Sequence, residues 1–147
     1  MGRILNLKEY DKELYSTERG EKKLLIEGDY WGRHFAIVRN PIGFPDAYIE
    51  VKPEDWIMSV EIDSDGYDTR YDAASMFVNG GATYFGPAYW NKEDDRKYIG
   101  WDYAHAGDYY PLYNDGNDDG HKWTIYEILM DVAHAVEGMD RDNDLNR

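Results

Sequence analysis

Apolar residues at Ile125, Ile128, Leu129, Val132, Ala133 and Val136 follow the spacing i, i+3, i+4, i+7, i+8 and i+11, which is one face of an α-helix. Thr124, three residues ahead of Glu127, makes a capping box at its start. Gly138 stands where a left-handed C-cap would end it. The MDRDNDLNR that follows, residues 139–147, has almost nothing to bury and is expected to be an acidic, disordered tail. Near the other end, Asn6 precedes Glu9 by three residues and apolar groups stand at Leu7, Tyr10, Leu14 and Tyr15, which predicts a short N-terminal helix.

Between these helices the pattern shortens to the period of a strand. Residues 22–27 and 33–38 read as a β-hairpin around a turn at 28–32, and residues 47–51 read as a strand stopped by Pro53. Residues 56–62, 75–78, 83–85 and 97–101 carry further strand patterns, the middle two separated by Asn79-Gly80-Gly81. No repeat or linker interrupts them. The expected fold is one α+β domain over residues 1–138, a mostly antiparallel sheet with the C-terminal amphipathic helix packed on it.

Composition narrows the classes. The 147 residues are 42% hydrophobic and contain no cysteine, so the core is built without disulfides and a thiolate metal site is excluded. No apolar run approaches the roughly 20 residues that span a bilayer, and the first residues lack a secretory signal, so a cytoplasmic protein is expected. The net charge is −14 and unevenly placed: residues 1–39 carry 8 basic and 7 acidic side chains, residues 91–147 carry 6 and 14. Such a surface repels phosphate backbones and acidic membranes, which argues against nucleic-acid or membrane partners. The acid keeps an aromatic-rich chain in solution, and it also suits a basic protein partner.

Candidate chemistry gathers in two segments at strand ends. In Asn79-Gly80-Gly81-Ala82-Thr83-Tyr84 the paired glycines suit close approach of a ligand, and equally a tight turn. In the second, Asp102, His105 and Asp108 follow at intervals of three, a spacing that lets two carboxylates orient one imidazole as a general base. The same three are competent ligands for a divalent metal, though one short segment seldom completes a site, and both aspartates equally suit capping of loop amides. Asp115 to Gly120 looks like the first half of a calcium loop, but its twelfth position is Tyr126 and Glu127 falls one residue late. His34, His121 and His134 share local spacing with no other ligand. The 23 aromatic residues exceed what a core of this size hides. Tyr84, Tyr89, Trp90, Trp101, Tyr103, Tyr109, Tyr110 and Tyr113 crowd around these two segments and are candidates to line a pocket for a planar ligand, and a homo-oligomer contact is a second use for such rings.

VNGGATYFG followed by YIGWDYAHAGDYY and a C-terminal helix resembles a family of small uncharacterised proteins encoded by bacteriophages and prophages. The likeness covers roughly residues 33–137 and rests on Gly80, Gly81, Thr83, Tyr84, Gly100, Asp102, Ala104, His105, Gly107 and Asp108, with Gly43 and Tyr48 upstream. Two positions depart from the family pattern: Asn79 where His is common, and Tyr103 where Cys is common. A metal or nucleophilic site built on those residues would be incomplete here, which shifts weight toward binding. What the resemblance implies is a phage setting and a motif-built site more than a reaction. By analogy with small phage accessory proteins, the expectation is a protein in the host bacterial cytoplasm that sequesters a nucleotide-like ligand to counter antiviral defence. The alternatives are a hydrolase using His105, Asp102 and Asp108, and an acidic inhibitor of a basic host factor.

Overall fold

The computed structural model describes residues 7–60, 80–105, 107–111 and 120–146. In chain order these form α1 (Leu7–Asp11), β1 (Lys23–Tyr30), β2 (Arg33–Arg39), β3 (Pro45–Val51), a 3-10 turn (Trp56–Ser59), β4 (Tyr84–Pro87), β5 (Lys97–Asp102) and α2 (Ile125–Leu145). Among the described residues the five strands make one antiparallel sheet ordered β1-β2-β3-β5-β4, with α2 against it, so the α+β fold expected from the sequence is the one observed.

The β1-β2 hairpin is tighter than the pattern suggested. Strand pairing continues to Tyr30↔Arg33, leaving a two-residue turn in which Trp31 (φ 48°) and Gly32 (φ 76°) both adopt the left-handed backbone of a primed hairpin turn.

Alternation along the strands divides the side chains between two faces. One carries Ile37, Ala47, Ile49, Val51, Ile99 and Trp101, which pack with Ile125, Ile128, Val132, Val136 and Met139 of α2. Each large aliphatic side chain buried there contributes about 1.5–3 kcal/mol. The other face carries Ala36, Val38, Tyr48 and Tyr98, covered by Tyr84, Ala88, Tyr89 and Trp90. Aromatic rings thus close the side of the sheet that α2 leaves open.

Two expectations are corrected. Residues 139–147 were expected as a tail beyond a Gly138 cap, but α2 runs through a buried Gly138 to Leu145 and buries Met139. The reason is a polar lock that local sequence does not display. Arg33, 3% exposed, donates to both carboxylate oxygens of Asp55 at 2.6 Å and to Asp140 at 3.1 Å. Asn143 donates to Asp55 at 2.8 Å and accepts from the Trp56 amide at 2.7 Å. The last turns of α2 are therefore tied to the segment after β3.

The same lock explains the second correction, the 3-10 turn at Trp56–Ser59 in place of a strand. Amides of residues 52 and 56 donate to the Asp55 and Asn143 side chains instead of to a neighbouring strand. Residues 61–79, and with them the strand expected at 75–78, lie outside the described residues, as does most of the calcium-like run. Among the described residues no helix is long and apolar enough to cross a membrane.

Burial pushes the Asp55 carboxyl up, and hydrogen bonds from Arg33, Asn143 and the Lys52 amide more than reverse this, leaving it below its ordinary value. Arg33→Met, which strands that charge in the interior, should lower the unfolding free energy by about 3–5 kcal/mol in urea titrations. Arg33→Met with Asp55→Leu should recover part of the loss, because it removes both charges together but leaves the Lys52 amide and Asn143 without their acceptor.

Candidate functional site

The site begins with a row of three residues across the sheet. Tyr48 of β3 pairs with Gly100 of β5, and Gly100 pairs on its other side with Tyr84 of β4. A Cβ on Gly100 would stand 2.4 Å from the Tyr48 ring, so the bare glycine is what lets that ring lie flat over β5. Tyr48 then meets Tyr84 edge to face at 5.3 Å, Tyr89 at 5.6 Å and Trp90 at 4.5 Å.

Two residues along the same strands, Asp46 and Asp102 are direct cross-strand partners on this face. Asp46 is 9% exposed and accepts from Asn40 Nδ2 at 3.1 and 3.2 Å and from the Tyr48 hydroxyl at 3.2 Å. Burial pushes its carboxyl up to about 7, with Asp102 adding to the rise, against the opposing effect of Asn40 and Tyr48. Burial also drives the Tyr48 phenol far above its ordinary value, so this hydroxyl stays protonated and donates.

Beside these groups lies a hollow of about 260 Å³ lined by Asn40, Phe44, Asp46, Tyr48, Thr83, Tyr84, Trp101 and Asp102. Phe44 also lines a second hollow of about 360 Å³ with Ile42, Ala104, His105, Asp108 and Tyr110. The fold therefore brings Tyr48, Thr83, Tyr84 and Asp102, from separate segments of the sequence, to one cavity wall and sets His105 and Asp108 in its neighbour.

The His105 loop is braced by its own aspartates. Asp102 Oδ1 accepts from the Ala104 amide at 3.2 Å. Asp108 accepts from the His105 amide at 2.9 Å through Oδ2 and from the Trp123 indole at 2.8 Å through Oδ1. The imidazole, 37% exposed, holds Nδ1 at 3.8 Å from Asp102 and 3.6 Å from Asp108, close enough for charge attraction and beyond a hydrogen bond. Gly80 stands over this ring: its φ is +70°, and a Cβ there would fall 2.4 Å from Cε1 of His105. The paired-glycine segment and the Ala-His segment thus meet in space, while Asn79 lies outside the described residues. Gly81 follows with φ +90°, and the Thr83 amide donates to the Gly100 carbonyl at 2.8 Å, which starts β4.

Trp101 behaves differently from the stacking platform expected of it. It is 1% exposed, and its indole donates to the Tyr103 hydroxyl at 2.9 Å, which in turn donates to Asp131 at 2.8 Å. Its bulk belongs to the face packed on α2, and it closes the floor of the hollow. Tyr103 is the fully buried acceptor of that indole.

Asp46 and Asn40 escaped the reading of the sequence. Their one signal is an aspartate at the start of a mostly apolar strand, and only the β3-β5 register shows that it faces Asp102.

Among the described residues no group of three or more His, Asp or Glu side chains lies close enough to hold a metal ion. His34 bridges Glu27 and Asp29, and His121 contacts Glu127, both away from the hollows. Among the described residues, no Ser, Cys or Lys lines either hollow, and Thr83 contributes the one aliphatic hydroxyl. No family profile, curated protein or solved structure matches the chain.

Two stability measurements follow. Between about pH 4 and pH 7 the folded chain keeps a proton on Asp46 that the unfolded chain releases. Asp46 therefore lowers stability as pH rises through that window, by up to about 4 kcal/mol. Asp46→Asn removes this term, so between about pH 4 and about pH 7 its unfolding free energy should gain steadily on that of the parent, and the difference should level off above about pH 7. Gly100→Ala should cost about 1–3 kcal/mol in the same assay, because the Tyr48 ring has to leave its place over β5.

Proposed function

We propose that the protein is a binding protein, not an enzyme, that captures a small nucleotide-like ligand by its base. The observation that carries this reading is the cavity wall assembled from β3, β4 and β5. Tyrosine rings from two strands border a space large enough for one ring system, with Thr83, Asn40 and two carboxylates as hydrogen-bonding groups. The adjoining hollow beyond Phe44, with His105 half-exposed on its wall, has room for the substituent that such a base carries. The resemblance to phage-encoded proteins supplies the setting: sequestration inside an infected bacterium, acting against host antiviral defence.

A second reading is favoured by one observation, the imidazole of His105 within 4 Å of two carboxylates. A hydrolase would use His105 as general base with Asp102 and Asp108 orienting it, on a water or on a nucleophile brought by the substrate.

Incubation of the purified protein with a nucleotide-rich extract of phage-infected bacteria, followed by washing, denaturation and mass spectrometry, separates these readings. An intact small molecule should be released by the parent. Tyr84→Ala should retain about 5–100-fold less, the usual loss when a ring that stacks on a base is removed. A product of altered mass whose formation requires His105 would favour the hydrolase. A host protein retained only at low salt, with no small molecule released, would instead make the acidic surface the functional one.

A further inference from the structure

We propose that Asp46 and Asp102 set the ligand class of this hollow: they select a planar group that presents N–H donors or a positive charge, an amidine, a guanidine or the amide-amine edge of a guanine-type ring. Free carboxylates and phosphates are turned away from this hollow, and the substituent of a nucleotide-like ligand lies in the adjoining one. This rests on the binding reading above and narrows it.

The geometry is that of two acids on directly opposed positions of neighbouring strands, where side chains begin about 4.5–5.5 Å apart. Among the described residues neither is ion-paired with a lysine or arginine, and Asp102 has His105 Nδ1 at 3.8 Å. Their roles differ. Asp46 already accepts from Asn40 and Tyr48 and acts as an acid set into the wall, ionised when a cation or donor edge sits beside it. Asp102 is the more exposed of the two, and a carboxylate that receives one loop amide still has capacity for a ligand's donors. Tyr84 and Phe44 supply the apolar border that makes a flat group fit better than a hydrated ion.

Binding of this class carries a proton signature. The groups that face Asp46 are Asp102 on β5, Tyr48 on β3 and Tyr89 in the segment after β4, with His105 beyond Asp102. Both phenols are held above their ordinary values and stay neutral near pH 7. A cation or donor edge favours ionised Asp46, so below about pH 7 binding has to release the proton from its carboxyl to solvent. Affinity should then fall as pH is lowered, by up to about tenfold per pH unit, and level off above pH 7.

The test uses three ring-sized probes: benzamidine, neutral benzamide and anionic benzoate. Amide NMR shifts locate each one, and calorimetry in two buffers of different ionisation heat counts protons. The expected result is saturable benzamidine shifts at Thr83, Tyr84 and Gly100, with proton release and affinity that rises to about pH 7, weaker benzamide and no benzoate. Asp46→Asn, neutral and of the same shape, should abolish both the proton release and the pH slope. His105→Gln should leave them, which separates Asp46 from the charging of the imidazole. Asp102→Asn provides a second folded control and should lose benzamidine about tenfold or more.

Benzoate binding as well as benzamidine overturns the inference, and so does a pH slope that survives in Asp46→Asn. If nucleosides bind and benzamidine does not, the charge selection falls while the binding reading stands. If benzamidine binds and no nucleoside does, the selection stands and the nucleotide-like identity falls.

Discussion

The two central strands, β3 and β5, are buried on both faces, and one helix covers only one of them. The opposite face has to be closed by side chains, and the chain closes it with rings: Tyr48, Tyr84, Tyr89, Trp90 and Tyr98 in mutual contact. Rings of that size need space beneath them. Gly100 provides it by leaving β5 without a side chain under Tyr48. The hollow opens at the end of this layer, where β3 and β5 present Asp46 and Asp102 in place of apolar groups. Covering the sheet and making the candidate site are therefore one packing problem with one solution.

Two buried aspartates show how context gives one residue type opposite properties. Asp55 sits against the Arg33 guanidinium and two further donors, stays ionised and ties the end of α2 to the segment after β3. Asp46 has neutral donors and an acidic neighbour, and its burial favours the protonated form. The first is a finished interaction that serves the fold. The second is an acid whose ionised form the fold leaves without a cation, which is the physical reason to look for its counterpart in a ligand.

The His105 segment shows the other side of this division. Its aspartates are occupied in bracing the loop, Asp102 on the Ala104 amide and Asp108 on the His105 amide and the Trp123 indole. The imidazole is thereby held in a defined place over Gly80, which both the binding reading and the hydrolase reading use.

The hydrophobic period alone determined the amphipathic helix from Ile125, its capping box, the hairpin and the α+β class, because these depend on residues a few positions apart. The motif segments around Gly80 and His105 were equally legible as candidates, since glycine pairs and Asp-His-Asp spacings are local. Tertiary structure decided what local pattern cannot encode. Gly138 ends no helix, because Arg33, more than a hundred residues earlier, holds Asp140 and, through Asp55, Asn143. Trp101 turned into the core because the pleat of β5 puts odd positions toward α2. Asp46 joined the site because the β3-β5 register sets it opposite Asp102, and register is a property of paired strands that no single strand carries.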